Sequence, residues 1–267
     1  MKRKLQALIV LLLLGAVRLP MEQYVTHYYR TTGLLSAPLS LGLRDNLSQM
    51  GFAASLGGLR SLVATISYLR AYREWENVNW AKVDSLMQLT TNLQPRYENY
   101  WDEAAWHMAY NAASAYLYDE KIETDVRTSL YKEHVQRGID ILKRGLQFTP
   151  ESARLWSTLG DIYANRTENP REATLAAEAY LQVFRLSRNE RYARFAAHQY
   201  SLTPDPAKWR KAYDMLSAFY QKKRVSATLL DDLKKLEVKL NIPFPQRIPT
   251  PGIPIEAPAD PYTGVYR

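Results

Sequence analysis

The four histidines of this 267-residue chain, His27, His107, His134 and His198, stand far apart in sequence. None falls in an H-x3-H or H-E-x2-H spacing, which would put two imidazoles on one helical face around a metal. The chain has no cysteine. That excludes a thiolate zinc site, a disulfide framework, a cysteine nucleophile and a lipoprotein anchor. G-x-S-x-G, G-x4-G-K-[ST] and G-x-G-x2-G are absent from the sequence, so neither a serine elbow nor a phosphate-cradling loop is indicated. Asp102-Glu103 and Asp119-Glu120 supply carboxylates for acid–base work. Adjacent residues on a helix do not face each other, however, and solvated acidic pairs are the simpler reading. No metal, no cofactor and no catalytic residue is expected, and the chain is not read as an enzyme.

The remaining chemistry is that of contact. Trp75, Trp80, Trp101, Trp106 and many of the 19 tyrosines either fill a core or line a concave face as anchors. Tyr110, Asn111, Tyr163 and Asn165 are the side chains expected to meet a protein or peptide partner. Phe244 and Tyr262 are added for a docking arm at the C-terminal end.

Helices must position these groups. Apolar residues make up 46% of the chain and there are only 11 glycines, which favours a folded helical chain over a turn-rich sheet protein. Residues 83–95, 138–150 and 176–188 each read as an amphipathic helix followed by a stop. Pro95 and Pro150 are each followed six residues later by a tryptophan, Trp101 and Trp156. Trp156, Leu159, Gly160 and Tyr163 then fall in the spacing W-x2-L-G-x2-Y. At this point the chain resembles the tetratricopeptide repeat (TPR) family. Ala176, Tyr180 and Val183 fit the small–large–small positions of the second helix of such a repeat, and Arg188 stands where a closing proline would be.

The resemblance implies a repeat before this one at 98–150, with Trp101, Ala104, Ala105 and Met108 in its first helix. Gly138, Leu142, Gly145 and Pro150 belong to its second, and an insertion around 118–130 is either an extended helix pair or a loop. Further units are expected at 64–95 and 191–223. One hairpin cannot bury its apolar side alone, so several must stack. A terminal helix over 227–240 is expected to cover the last unit. It carries Leu229, Leu233, Leu236 and Leu240 on its inner stripe, turns Asp231, Lys235 and Lys239 away, takes Ser226 as N-cap and stops at Asn241. Residues 50–190 also resemble bacterial membrane-anchored proteins with degenerate TPR-like repeats, a likeness that implies architecture and topology.

The ends differ from this body. Lys2, Arg3, Lys4 and Arg18 supply half of the net charge of +8, and they flank an apolar run over 5–17. Residues 1–21 are therefore read as an uncleaved signal anchor, the alternative being a cleaved signal peptide. The expected location is the bacterial inner membrane, crossed once, with the C-terminal domain in the periplasm. Residues 52–69 are nearly long enough for a second span but carry Arg60 at their centre. They are read as an amphipathic helix with Leu56, Leu59, Val63, Ile66 and Leu69 on one stripe; an interfacial helix and a second span are the alternatives. Arg185, Arg188, Arg191 and Arg194 recur at threefold spacing, yet 187–190 reads as a break between helices. Solvated charge is the reading, and nucleic acid is not an expected partner. Residues 242–267 hold seven of the 14 prolines and read as an extended tail: disordered, packed on its own domain, or docking on a partner.

The expected fold is thus an all-α, TPR-like α-solenoid. It comprises an anchor (1–21), a linker (22–46), a helical-repeat domain (47–241) and a Pro-rich tail (242–267). The expected function is a membrane-tethered scaffold for protein–protein interaction, with a protein or peptide partner and, through it, an inner-membrane complex. Two alternatives stand beside it: an extracytoplasmic enzyme acting on cell-wall polymer, and an accessory subunit of an integral-membrane complex.

Overall fold

Helix starts and stops in this chain are written in its loop residues. Ser152, Asn189, Asp205 and Ser226 each accept a hydrogen bond from a backbone N–H in the first turn that follows, at 3.2, 3.1, 2.9 and 3.3 Å. These side chains satisfy donors that a helix start leaves unpaired. Stops are made by residues in the left-handed region, at Val78, Lys223 and Asn241. In each, two successive N–H groups reach back into the last turn, as Val78 to Trp75 and Asn79 to Glu74 do at 2.9 Å. This is the Schellman arrangement. It seats a β-branched residue, Val78, at φ 57°, where its Cβ crowds the backbone.

A computed structural model of the chain describes residues 58–249 apart from 168 and 170, together with Arg18, Met21, Glu22, Tyr24 and Val25. Among the described residues the elements are helical and no strand occurs. The helices are α1 (Arg60–Glu76), α2 (Trp80–Leu93), α3, α4 (Thr124–Phe148), α5 (Ala153–Asn165), α6 (Glu172–Ser187), α7 (Glu190–Leu202), α8 (Pro206–Gln221) and α9 (Ala227–Lys239). Helix α3 is continuous in three parts: Glu98–Trp106, a π-helical stretch His107–Ala112, and Ala113–Leu117. A single 3-10 turn, Phe244–Gln246, follows α9.

Each helix packs on the next in the chain, and α3 also meets α5 as α7 meets α9. One core runs through the stack. It includes Met87, Trp101, Leu142, Leu155, Ile162, Tyr200, Leu216 and Leu233. Close approach is bought by small side chains. A Cβ on Gly138 of α4 would lie 2.6 Å from the Cβ of Ala109 and 2.9 Å from the carbonyl of Ala105, both on α3. A Cβ on Gly160 of α5 would lie 2.7 Å from the ring of Tyr180 on α6.

The six-residue spacing from proline to tryptophan has a physical cause. Trp101 Nε1 donates to the Pro95 carbonyl at 2.8 Å, and Trp156 Nε1 to the Pro150 carbonyl at 2.9 Å. The indole reaches back over the first turn of its helix and fastens the incoming loop. Trp209 does the same to Thr203 at 2.6 Å, a third instance in which the acceptor is not a proline.

The insertion around 118–130 takes the extended-helix-pair alternative: α3 runs on to Leu117, a turn follows, and α4 begins at Thr124 and runs unbroken to Phe148. Helix α1 exists, but its leucine stripe does not enter the core. Of the expected stripe only Val63 is buried, together with Ala64, Ser67 and Ala71, while Leu59, Ile66 and Leu69 are exposed and Leu56 lies outside the described residues. Helix α9 buries Leu229, Leu233 and Leu236 as expected, and also Asp232, Lys234 and Glu237, because it is packed from two sides. Asp231 and Lys235 pair with each other at 2.7 Å, and Lys239 is exposed, with its ammonium donating to the Ser201 carbonyl at 2.8 Å.

The tail begins by returning to the domain. Ile242 is buried and Ile248 packs against the core. The Tyr220 hydroxyl donates to the Pro249 carbonyl at 3.4 Å. Residues 250–267, with Tyr262, lie outside the described residues, as do 1–17 of the leader and 26–57. Among the described residues no helix is long and apolar enough to cross a membrane.

Candidate functional site

The side chains with most contact chemistry converge where α3, α5 and α7 adjoin. The site starts from the π-helical stretch of α3. Its wider turn shifts the backbone out of α-helical register. Arg166, the C-cap of α5, reaches two carbonyls of this stretch. Its Nε donates to the Ala109 carbonyl at 3.0 Å, and its Nη2 donates to Ser114 Oγ at 2.7 Å and to the Tyr110 carbonyl at 3.5 Å. The same guanidinium lies 4.9 Å from the Tyr110 ring centre and 5.1 Å from that of Tyr131, close enough for cation–π attraction. Tyr131 in turn donates its hydroxyl to the Arg166 carbonyl at 2.8 Å.

Tyr110 is half-buried and stacks on Trp106, with ring centres 4.1 Å apart and planes inclined by 18°. Trp106 is 50% exposed and offers its free face to solvent. Burial, with a smaller push from Asp161, raises the Tyr110 phenol to about 12, so it is a neutral hydrogen-bonding group at physiological pH. Asn111 Nδ2 donates to His107 Nδ1 at 3.0 Å, one turn back on the same stretch. Burial lowers the pKa of His107, against a weaker upward pull from Glu103.

Polar groups continue along α5. Thr158 donates to Asp102 at 2.5 Å, and Arg154 lies 3.4 Å from the other oxygen of that carboxylate. Asp161 accepts from the Tyr180 hydroxyl at 2.7 Å. Burial pushes the Asp161 pKa up, opposed by the Tyr180 hydrogen bond and by Arg191. The Ser157 hydroxyl meets the Tyr192 hydroxyl at 3.3 Å, which ties in α7. Glu103, beside Asp102 in sequence, takes the Tyr68 hydroxyl at 2.5 Å instead. The two carboxylates diverge, as adjacent helix positions must.

The expected contact residues are brought together only in part. Tyr110 and Asn111 share the π-helical stretch. Asn165 is exposed at the end of α5, with its amide donating to the Asp161 carbonyl at 2.9 Å. Tyr163 stands apart from them and is buried. Its ring lies 5.9 Å from the Lys143 ammonium and lines a cavity of about 280 Å³ between α4, α5 and α6. Phe244 is half-buried in the turn after α9. Asp102, Thr158, Asp161, Arg166 and Tyr192 were not expected. Only Arg166 carries a hint in sequence, as a cation placed just past a helix end.

The threefold arginine series is divided as its break suggests. Arg185 is on α6, whereas Arg188, Arg191 and Arg194 line a pocket of about 560 Å³ with Arg224. Its cations are largely engaged: Arg224 and Lys222 pair with Glu190, and Arg194 donates to Ser226 Oγ at 2.7 Å. Among the described residues no three His, Asp or Glu side chains gather in a way that could hold a metal ion.

No family model matches the chain, and no curated protein is similar to it in sequence.

Proposed function

We propose that this chain is a membrane-anchored, TPR-like helical-repeat scaffold that binds a protein or peptide partner on the periplasmic side of the bacterial inner membrane. The observation that carries the reading is the solvent-facing Trp106, stacked on Tyr110 and backed by the Arg166 cation, on a stack whose helices pack in chain order. An exposed indole held rigid by an aromatic neighbour loses little freedom on binding, and tryptophan, tyrosine and arginine are the side chains that dominate interface energetics. The polar row of Asp102, Thr158 and Asp161 beside it would fix the register of a bound backbone. Anchoring through residues 1–21 would hold this surface near an inner-membrane assembly.

The test is a photo-crosslinking amino acid at position 106 of the full chain in membranes, with position 129 on α4 as the control. Discrete adducts from 106 that Tyr110→Ala abolishes, and that 129 does not give, are the expected result. The same adducts from both positions, or none from 106, would refute the reading.

A further inference from the structure

Among the described residues, the apolar face of helix α1 has no partner. Leu59, Leu62, Ile66 and Leu69 are 47%, 53%, 36% and 61% exposed, and their spacing of three and four residues aligns them on one side of the helix over about 15 Å. Tyr72 extends the exposed apolar surface. The opposite side, Val63, Ala64, Ser67 and Ala71, is what meets the rest of the domain. Large aliphatic side chains face outward while small ones face inward, the reverse of a helix that ends at water.

Two observations say what this face meets. The first is where the leader ends. Glu22 Oε1 pairs with Arg60 at 2.8 Å, and its other oxygen lies 3.7 Å from Arg18. Met21, Glu22 and Val25 share one pocket wall with Gly58 and Arg60. The end of the leader is therefore fastened to the first turn of α1. The second is charge. Arg70 and Arg73 are exposed along the helix, and Arg73 continues the stripe one turn beyond Leu69, while Arg60 is engaged by Glu22. Aliphatic residues framed by arginines are the pattern of a helix lying in the headgroup layer of an anionic bilayer, with the guanidinium groups reaching phosphate.

We infer that α1 is an interfacial helix whose Leu59–Leu62–Ile66–Leu69 face is immersed in the outer surface of an anionic membrane. This rests on the reading of residues 1–21 as a membrane anchor, since it is the leader that brings α1 to the lipid. It adds a second, lateral attachment. A single span leaves a domain free to swivel, whereas a helix lying in the surface fixes which side of the stack faces away.

The absence of cysteine makes the test direct. Full-length Leu62→Cys, Leu69→Cys and Ser129→Cys proteins, the last on α4, are spin-labelled and reconstituted into phosphatidylglycerol–phosphatidylethanolamine vesicles. Collision with oxygen, which partitions into lipid, is compared with collision with a water-soluble nickel chelate. The ratio of oxygen to nickel accessibility is expected to be several-fold higher at 62 and 69 than at 129, and the difference is expected to collapse when the protein is moved to phosphatidylcholine vesicles. Three outcomes overturn the inference while leaving the anchor intact in protein that floats with the vesicles. Labels at 62 and 69 do not differ from 129 in nickel access, which puts the face in water. They are shielded from both reagents, which puts residues 26–57 over it. They broaden one another between copies, which puts a second chain there. Protein that does not float with the vesicles removes the anchor and this inference together.

Discussion

The Lys234 ammonium and the Glu237 carboxylate lie 2.9 Å apart on one face of α9, with side chains 5% and 0% exposed. Neither charge is left to the other alone. The Lys234 ammonium also donates to the Ile248 carbonyl, and the Ile248 N–H donates to the second Glu237 oxygen at 2.7 Å. The returning tail thus completes the hydrogen bonds of an ion pair that α9 would otherwise bury incompletely.

Removing one partner strands the other charge, so Glu237→Gln or Lys234→Met is expected to cost about 3–5 kcal/mol. Replacing both with apolar residues is expected to cost much less, because no charge remains to be solvated. Denaturant unfolding of the two single variants and the double variant checks this. A chain ending at Asn241 is expected to lose stability on the same scale, and one ending at Pro249 to keep it.

His198 of α7 donates from Nδ1 to the Asp232 carboxylate of α9 at 2.8 Å. That hydrogen bond raises the imidazole pKa above its ordinary value, with burial pulling the other way. A raised folded-state pKa means that the stabilisation is fully present below the unfolded value of about 6.5 and is lost as pH rises through the folded one. The melting temperature of the protein is therefore expected to fall more from about pH 6 to about pH 8 than that of His198→Gln. His107, lowered by burial, contributes the opposite slope and is unchanged in both proteins, so the difference between their profiles isolates His198.

Gly138→Ala places a methyl group against the backbone of α3, where neither the Ala105 carbonyl nor Ala109 can swing aside. A loss of about 1–3 kcal/mol is expected, as for overpacking elsewhere. Gly58→Ala is the contrasting control for space, since nothing lies within 4 Å of its Cβ direction, although its φ of +70° adds backbone strain. Thermal melts of the two report how much of the Gly138 effect is collision.

Arg166→Ala removes a side-chain donor from the Ala109 carbonyl and a cation from two rings. Charge-assisted bonds of this kind are worth about 1.5–3 kcal/mol, and a loss in that range is expected. Arg166→Lys is expected to recover little of it, because an ammonium cannot reach the Ala109 carbonyl and Ser114 while lying flat on Tyr110. Faster amide exchange within His107–Ala112, measured against the rest of α3, would separate a local loosening from a global loss.

Much of the helical plan was legible in loops and spacings. Ser226, the break near 187–190 and the Pro–Trp spacing each express a local rule that needs no knowledge of distant contacts. Helix α1 was legible as a helix but not in its orientation. Its sequence offers both a leucine stripe and a small-residue face, and hydrophobicity alone selects the leucines. Packing against α2 selects Ala64, Ser67 and Ala71, because only small side chains allow that approach. The candidate site was legible on α3 and illegible elsewhere. Tyr163 has the composition of a contact residue, yet its position on α5 turns it toward α4 and α6. Arg166 reaches a carbonyl 57 residues earlier in the chain, and such a pairing leaves no trace in local periodicity.

Packing that proceeds from one helix to its successor means that the main joints of the described stack lie in series. A pull applied between its ends would load every joint equally, and the weakest would part first. The carboxyl end is bolted by the ion pair on which Ile248 closes. The amino end rests on the small inward side chains of α1. Helices α1 and α2 share one of the most extensive contacts in the stack and α2 and α3 a much smaller one, so under tension α1 and α2 should part from α3 as a pair and re-engage when the load is released.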